Sequence, residues 1–194
     1  MKYCSECGGK INISIPEGDN RPRHVCISCG VIHYQNPKMV VGCLIEHENK
    51  ILLCKRAIEP RYGLWTLPAG FMENQETTMQ AAQRETQEEA GAEVEIIELF
   101  TMFSLPHIDQ VYMLYRANFK QPEFSAGTES LEVKLFDEAD IPWDEMAFPV
   151  ITESLKRYFL DRKRGQFQIH TGAMIKQSQY SAQSVFDVTT LNND

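Results

Sequence analysis

The chain lacks any apolar run approaching the roughly twenty residues that a membrane-spanning helix needs. Its opening residues, MKYCSECGG, contain no apolar stretch of the kind a secretory signal requires, and no internal repeat is present. Positive charge is also scarce: 19 Lys and Arg stand against 27 Asp and Glu, for a net charge of −8. A general nucleic-acid binder needs a basic face to neutralise phosphates, so that class is disfavoured. A small phosphorylated substrate stays admissible if a metal supplies the positive charge. The expected setting is the cytosol, where thiols stay reduced, with no membrane partner. What is present suffices for one good core and a small appendage: 194 residues, 43% of them hydrophobic.

The six cysteines fall into two groups. Cys4, Cys7, Cys26 and Cys29 form C-x2-C, eighteen residues, then C-x2-C, each pair followed by glycine that lets the backbone turn tightly. Four thiolates at this spacing satisfy tetrahedral Zn²⁺ with no open position, which makes the expected site structural. A redox pair is the competing reading; two tandem pairs without a thioredoxin-like pattern around them are better explained by one shared ion. The first thirty-odd residues carry too few apolar side chains to fold without metal. Cys43 and Cys54 lie in KMVVGCLIEH and KILLCKR, apolar runs joined by a turn at Glu48 and Asn49. A two-residue turn would set them opposite each other, as buried reduced thiols or, less simply, as a cross-strand disulfide.

The densest chemistry lies between Gly70 and Ala92, GFMENQETTMQAAQRETQEEAGA. Thr77 with Gln80 reads as a capping box that opens a helix, and Gly91 supplies its stop. On that helix Glu85, Glu88 and Glu89 stand at i, i+3 and i+4, three carboxylates on one face. Like charges at this spacing repel, and hard oxygen ligands gathered at one point are what Mg²⁺ or Mn²⁺ accepts. Met79, Ala82, Thr86 and Ala90 form a neighbouring face suited to packing on a sheet. The preceding Pro68, Ala69, Gly70 turn suits a place where backbone approaches a ligand, and the Gly70 carbonyl could join the metal shell.

The full string, G-x5-E-x7-R-E-x-x-E-E-x-G from Gly70 through Glu76, Arg84, Glu85, Glu88 and Glu89 to Gly91, resembles the Nudix hydrolase signature at every charged and glycine position. Thr86 and Ala92 depart from it at two apolar positions that bear on packing. The resemblance covers about residues 37–162. It implies an α/β/α Nudix sandwich with a mixed sheet and hydrolysis of a nucleoside diphosphate linked to another group. The first segment resembles the zinc ribbon that some Nudix enzymes carry ahead of the catalytic domain. The expected division is therefore a ribbon over 1–36, the Nudix domain over 37–165 and a polar tail or arm over 166–194, possible contact for a partner subunit in a homodimer.

Beyond Gly91 the pattern turns to strands. EVEIIELFTMFSL and QVYMLYRANF, separated by a break at His107 to Asp109, precede the loop KQPEFSAGTES and a further strand, LEVKLFD. Val150, Ile151, Leu155, Tyr158 and Phe159 then give a helical stripe that DRKRG closes with cations.

Roles follow from charge. A diphosphate repels nucleophiles, so cations must neutralise it and a base must deprotonate water. Glu85, Glu88 and Glu89 are the expected Mg²⁺ (or Mn²⁺) ligands, and Arg84 the residue that orients them through Glu76 or Glu85. Glu129 in the GTES loop is the first candidate for the general base, on the ground that a mobile loop can carry it over bound metals, with Glu88 second and Glu132 third. Arg56 and Arg61 are candidates for the outer phosphate. Trp65, Phe71, Phe103 and Tyr112 read as packing residues ahead of base-stacking ones.

The substrate is expected to be a nucleotide sugar or dinucleotide. NADH pyrophosphatases carry an SQPWPFP-type stretch where this chain has FTMFSLPHIDQVYML, and the arrangement of LPAGFME, FSLPHIDQVYMLYRA and TESLEVKLF is more similar to ADP-ribose and FAD pyrophosphatases. ADP-ribose or FAD is favoured, releasing AMP, with NADH pyrophosphatase as the alternative. A further alternative is a non-catalytic nucleotide-sensing or interaction module, against which the full carboxylate set argues.

Overall fold

The structure, a computed structural model, describes residues 1–176 and 186–190. Two compact units divide it, Met1–Pro37 and Lys38–Asp194.

The first unit is a three-stranded antiparallel sheet in the order β1 (Ile11–Ser14), β2 (Arg23–Cys26) and β3 (Ile32–His33). Two matching knuckles bring its thiols together. In one, the Gly8 N–H donates to the Cys4 carbonyl and the Cys4 N–H to the Gly9 carbonyl; in the other, Gly30 donates to Cys26 and Cys26 to Val31. Gly8 and Gly30 both adopt left-handed backbone, at φ 71° and 74°, which only glycine does at little cost. Cys4 and Cys26 are the only buried residues of this unit. The thiols therefore occupy the place of a hydrophobic core.

The second unit begins with β4 (Lys38–His47) and β5 (Lys50–Arg56). Glu48 and Asn49 between them both have positive φ, as a two-residue hairpin turn requires. Only the pairs next to that turn, His47 with Lys50 and Glu46 with Ile51, belong to a β4–β5 ladder. Beyond them the strands part, and the chain returns between them as β6 (Trp65–Thr66) on β5 and β7 (Ala69–Phe71) on β4. This overturns the expected facing of Cys43 and Cys54: Cys43 donates nothing across the hairpin, its N–H going to the Pro68 carbonyl, and Cys54 pairs with Thr66. Both thiols are free and buried, and burial pushes Cys43 up to about 12 and Cys54 up as well. Of the expected Pro68–Gly70 turn, only Pro68 is a bend; Ala69 and Gly70 begin the short strand β7. Gly42 opposite Ala69 makes that insertion possible, since a Cβ there would lie 2.3 Å from the Pro68 carbonyl oxygen.

Helix α1 (Thr78–Ala90) follows, then β8 (Val94–Leu105), β9 (Gln110–Phe119), β10 (Ser130–Phe136), helix α2 (Pro149–Arg164), β11 (His170–Lys176) and β12 (Phe186–Thr190). The main sheet runs β10-β5-β4-β9-β8-β11-β12, with β4–β9 and β8–β11 parallel and the other neighbours antiparallel. A mixed sheet with α2 on one face and α1 on the other is the α/β/α sandwich that the resemblance implied. Period-two alternation serves both faces: Val40 and Leu44 of β4, with Ile51 and Leu53 of β5, join Ile151, Leu155 and Tyr158 of α2 in one cluster. Val41, Cys43, Ile45, Leu52 and Cys54 pack on Ala81, Ala82 and Ala90 of α1 in the other. A sheet buried on both faces explains why β4 and β5 read as continuous apolar runs.

Helix α1 has both reciprocal hydrogen bonds of the capping box at Thr77 and Gln80, and ends on Gly91 at φ 57°. Its buried residues are Ala81, Ala82, Thr86, Glu89 and Ala90, so the packing face is rotated from the expected one and Met79 is exposed. The burial of Glu89 is the surprise of this helix.

The polar segment from Gln166 also departs from expectation. Residues 170–176 form β11, in parallel register with β8 from His170 opposite Thr101 to Ala173 opposite Ser104, and β12 extends the sheet. The physical anchor is a buried pair. His170 Nε2 lies 2.8 Å from Asp161 Oδ2 of α2, and both side chains are about fully buried. The part of that segment over 177–185 and 191–194 lies outside the described residues.

Candidate active site

Arg84 is the hub of the acidic face of α1. Its guanidinium donates to Glu76 at 2.7 and 3.0 Å, to Glu85 at 2.7 Å, to Glu88 at 3.1 Å and to the Phe71 carbonyl at 3.1 Å. Glu76 also accepts the Glu73 N–H, and its bond with Arg84 holds its carboxyl below the ordinary range. A planar, permanently charged fork suits this multiple contact in a way lysine would not.

Glu85 and Glu89 turn inward from the same face. The Glu89 Oε2 accepts the Ala69 N–H at 3.0 Å, and Gly70 leaves room for Glu85: a Cβ on residue 70 would fall 2.2 Å from its Oε2. Gly70 therefore acts through absence of a side chain, letting strand β7 lie against the acid. Burial pushes the Glu89 carboxyl up to about 7, with the Glu85 and Glu129 charges adding to it. Burial also raises Glu85, against the pull of Arg84.

Glu129 belongs to this group by charge, since it opposes the ionisation of both Glu85 and Glu89. The loop that carries it is pinned. The Ser125 N–H donates to the Ala90 carbonyl, Gly127 to Glu89, and Ala57 to the carbonyl of Glu129 itself, so one segment caps the end of α1 and presents an acid above it. Gly127 is required there, because a Cβ would lie 1.7 Å from the Glu88 carbonyl oxygen. These bonds set Glu129 in place, in contrast to the mobile loop expected. Glu132 is exposed on β10 and does not line the same cavity.

These groups open on a cavity of about 890 Å³, within the range of small-ligand sites. Gly70, Arg84, Glu85, Glu88, Glu89 and Glu129 line it, as do Arg56 and Arg61. Arg56 is buried, donates to the Pro60 carbonyl at 3.0 Å and lies over the Phe148 ring; Arg61 is exposed at the rim. Of the aromatics, Trp65 packs edge-on against Phe136 and Phe103 is fully buried, as the packing reading had it. Phe71 is instead 48% exposed on the cavity wall, and Tyr112 lines it with its hydroxyl pushed by burial up to about 12.

Sequence reasoning missed the far wall: Leu105, His107 and Ile108 at the β8–β9 turn, and Met174 and Lys176 of β11. No local signal marks the last two as site residues, because a parallel pairing across some seventy positions brings them there.

The two ligand sets differ in kind. In the first unit the sulfurs of Cys4, Cys7, Cys26 and Cys29 all lie within 4.8 Å of one another, with contacts of 3.4, 3.5 and 3.8 Å. A tetrahedral Zn²⁺ with bonds of about 2.3 Å needs sulfurs about 3.8 Å apart, so the set suits structural zinc. His33 Nε2, 3.2 Å from the Cys4 sulfur, adds an outer contact that the spacing did not reveal. Among the described residues no other group of three or more ligands converges as closely. Arg84 bridges Glu76, Glu85 and Glu88, yet the charges of Glu89 and Glu129 find no such partner in it, and Glu85, Glu89 and Glu129 repel one another at the cavity. Hard oxygens with unmet negative charge fit a divalent ion that keeps open positions for substrate.

Comparison with known proteins agrees with this geometry. The NUDIX domain family model matches residues 36–159, and the Nudix N-terminal zinc-ribbon model matches residues 2–35. The chain belongs to the Nudix hydrolase family of enzymes. It is 34% identical over 113 residues to an ADP-ribose pyrophosphatase of Methanocaldococcus jannaschii, covering 56% of this chain and 67% of that one. It is 28% identical over 148 residues to the NAD-capped RNA hydrolase NudC of Vibrio atlanticus, covering 73% of this chain but 51% of that one. A crystal structure of a NUDIX hydrolase from Nitrosomonas europaea superposes with a TM-score of 0.86 at 60% identity, over 89% of this chain and 98% of that one.

Proposed function

We propose that this enzyme hydrolyses the pyrophosphate bond of a nucleoside diphosphate linked to a second moiety, with ADP-ribose or FAD as substrate and AMP as one product. One observation carries the reading: Glu85, Glu88 and Glu89 share a helix face, two of them inward, beneath a cavity large enough for a nucleotide. Bound there, Mg²⁺ or Mn²⁺ would neutralise phosphate oxygens and lower the pKa of attacking water. Glu85, Glu88 and Glu89 would hold the metal; Arg84 bonds the carboxylates of Glu85 and Glu88, and the Ala69 N–H bonds that of Glu89. Glu129, fixed over the acids by its pinned loop, is the group best placed to take a proton from water, with Glu88 second. Arg56 and Arg61 line the same cavity and supply positive charge for the outer phosphate. The archaeal relative's name supports ADP-ribose; nothing comparable singles out FAD.

The relatives named NAD-capped RNA hydrolase favour a second reading, a dinucleotide such as NADH or an NAD-type RNA end, and their match spans 73% of this chain. Zinc in the ribbon, a cytosolic setting and a homodimer complete the proposal. The test is a panel of ADP-ribose, FAD, NADH, dinucleoside polyphosphates and capped RNA with Mg²⁺, run in H₂¹⁸O. AMP release with the label on one defined phosphate supports the reading. No turnover of any member by pure, metal-loaded protein would leave a nucleotide-sensing module in its place.

A further inference from the structure

The six thiols differ in access to solvent. Cys43 and Cys54 are buried in the catalytic unit, Cys4 and Cys26 are buried in the ribbon, and Cys7 and Cys29 are exposed. The exposed pair holds the second position of each C-x2-C knuckle, so the ribbon presents one sulfur from each knuckle to water. Those two sulfurs are 3.4 Å apart, closer than Cys7 to Cys26 at 3.5 Å or Cys4 to Cys29 at 3.8 Å. The buried pair has inner contacts instead: the Cys4 sulfur lies 3.2 Å from His33 Nε2, and the Cys26 sulfur accepts the Cys29 N–H at 3.5 Å.

Oxidation of cysteine follows thiolate character and exposure. A cysteine that ligates zinc is a thiolate, and Cys7 and Cys29 are the two that join this character to contact with water. The core thiols have neither: both are buried, and burial pushes Cys43 up to about 12, which keeps it protonated. The ribbon also has no second source of stability. Cys4 and Cys26 are its only buried residues, so its fold depends on the four sulfurs staying together.

Resting on the zinc reading of the ribbon, we propose that Cys7 and Cys29 are a modification site for hydrogen peroxide, and that a disulfide between them opens the ribbon reversibly. One thiolate attacks the peroxide O–O bond, which gives a sulfenic acid and hydroxide. The other thiolate attacks that sulfur, forms the S–S bond and expels a second hydroxide. Two thiolates thus lose two electrons in all, and the peroxide is reduced to water once both hydroxides take protons from solvent. Cys4 and Cys26 remain, two ligands where a structural zinc needs four, so the metal is lost. The new bond ties knuckle to knuckle, and a dithiol reductant reverses it by exchange. The catalytic unit keeps its own apolar clusters and stays folded throughout.

Titration of the zinc-loaded full chain with hydrogen peroxide tests this on unaltered protein, so misfolding of a variant cannot imitate the result. Metal analysis before oxidation checks the zinc reading by itself. A chromogenic chelator should then record loss of the ribbon's zinc in step with loss of two of the six thiols. Peptide mapping of the unreduced chain should find a Cys7–Cys29 bond, with Cys43 and Cys54 still free to alkylate once the chain is unfolded. Dithiothreitol with added zinc should restore both the metal content and the ribbon's amide signals in an NMR spectrum. Zinc retained under excess peroxide, a bond formed within either knuckle, or zinc lost to sulfinic acids with no disulfide would overturn the proposal. Zinc absent before oxidation would overturn it together with its premise.

Discussion

The ribbon and the catalytic unit use ligand-bearing side chains in opposite ways. In the ribbon, four thiols converge in a 37-residue unit whose only buried residues are two of them, Cys4 and Cys26. In the catalytic unit two apolar clusters cover both faces of the sheet, and the carboxylates hang at the edge of one of them over open space. A closed soft-ligand set replaces a core; an open hard-ligand set depends on one built elsewhere. The difference teaches that metal should decide folding in the first unit and chemistry in the second.

The largest expected effect separates the two at once. Cys26→Ser, or zinc extraction from the native chain, should unfold residues 1–37 entirely and leave the catalytic unit folded, visible as loss of the ribbon's amide signals alone in an NMR spectrum. Loss of both units together would break the distinction. Glu89→Gln comes next. It keeps an oxygen for the Ala69 N–H but removes the charge, so turnover should fall at least about 100-fold with the fold intact. The same residue gives a pH signature. In magnesium-free buffer the folded chain keeps a proton on Glu89 up to about pH 7, while an ordinary carboxyl releases it near 4.5, so stability should fall as pH rises between those values. Thermal unfolding of wild type against Glu89→Gln should show that slope reduced in the variant.

Arg84→Gln should cost about 10–100-fold in activity through misplaced carboxylates, with Arg84→Lys recovering little because it cannot reach Glu76, Glu85 and Glu88 together. Leu155→Ala, fully buried under the sheet, should cost about 2–5 kcal/mol of catalytic-unit stability in denaturant unfolding and leave zinc content unchanged. The smallest effect is at the cap, where Thr77→Ala should lower stability by about 1 kcal/mol.

Much of the site was legible because it is local. The Thr77 and Gln80 cap, the Gly91 stop and the i, i+3, i+4 acids are all properties of one helix, and the ribbon's thiols come in two self-similar knuckles. What escaped the sequence depends on distant strands. Met79 is exposed because the sheet, by taking Ala81, Ala82 and Ala90, rotates the helix. Cys43 and Cys54 lost their pairing because β6 and β7 enter the hairpin. The segment His170–Lys176 reads as polar tail, since only the Asp161 contact and the β8 edge make a strand of it. The far wall of the cavity was hidden for the same reason.

Manganese titration followed by electron paramagnetic resonance, in the presence of AMP, puts the carboxylate patch to the most direct test. Wild-type protein should bind at least one Mn²⁺ per chain that the Glu85→Gln, Glu89→Gln double variant loses while remaining folded. Equal occupancy and affinity in the two proteins would contradict the account.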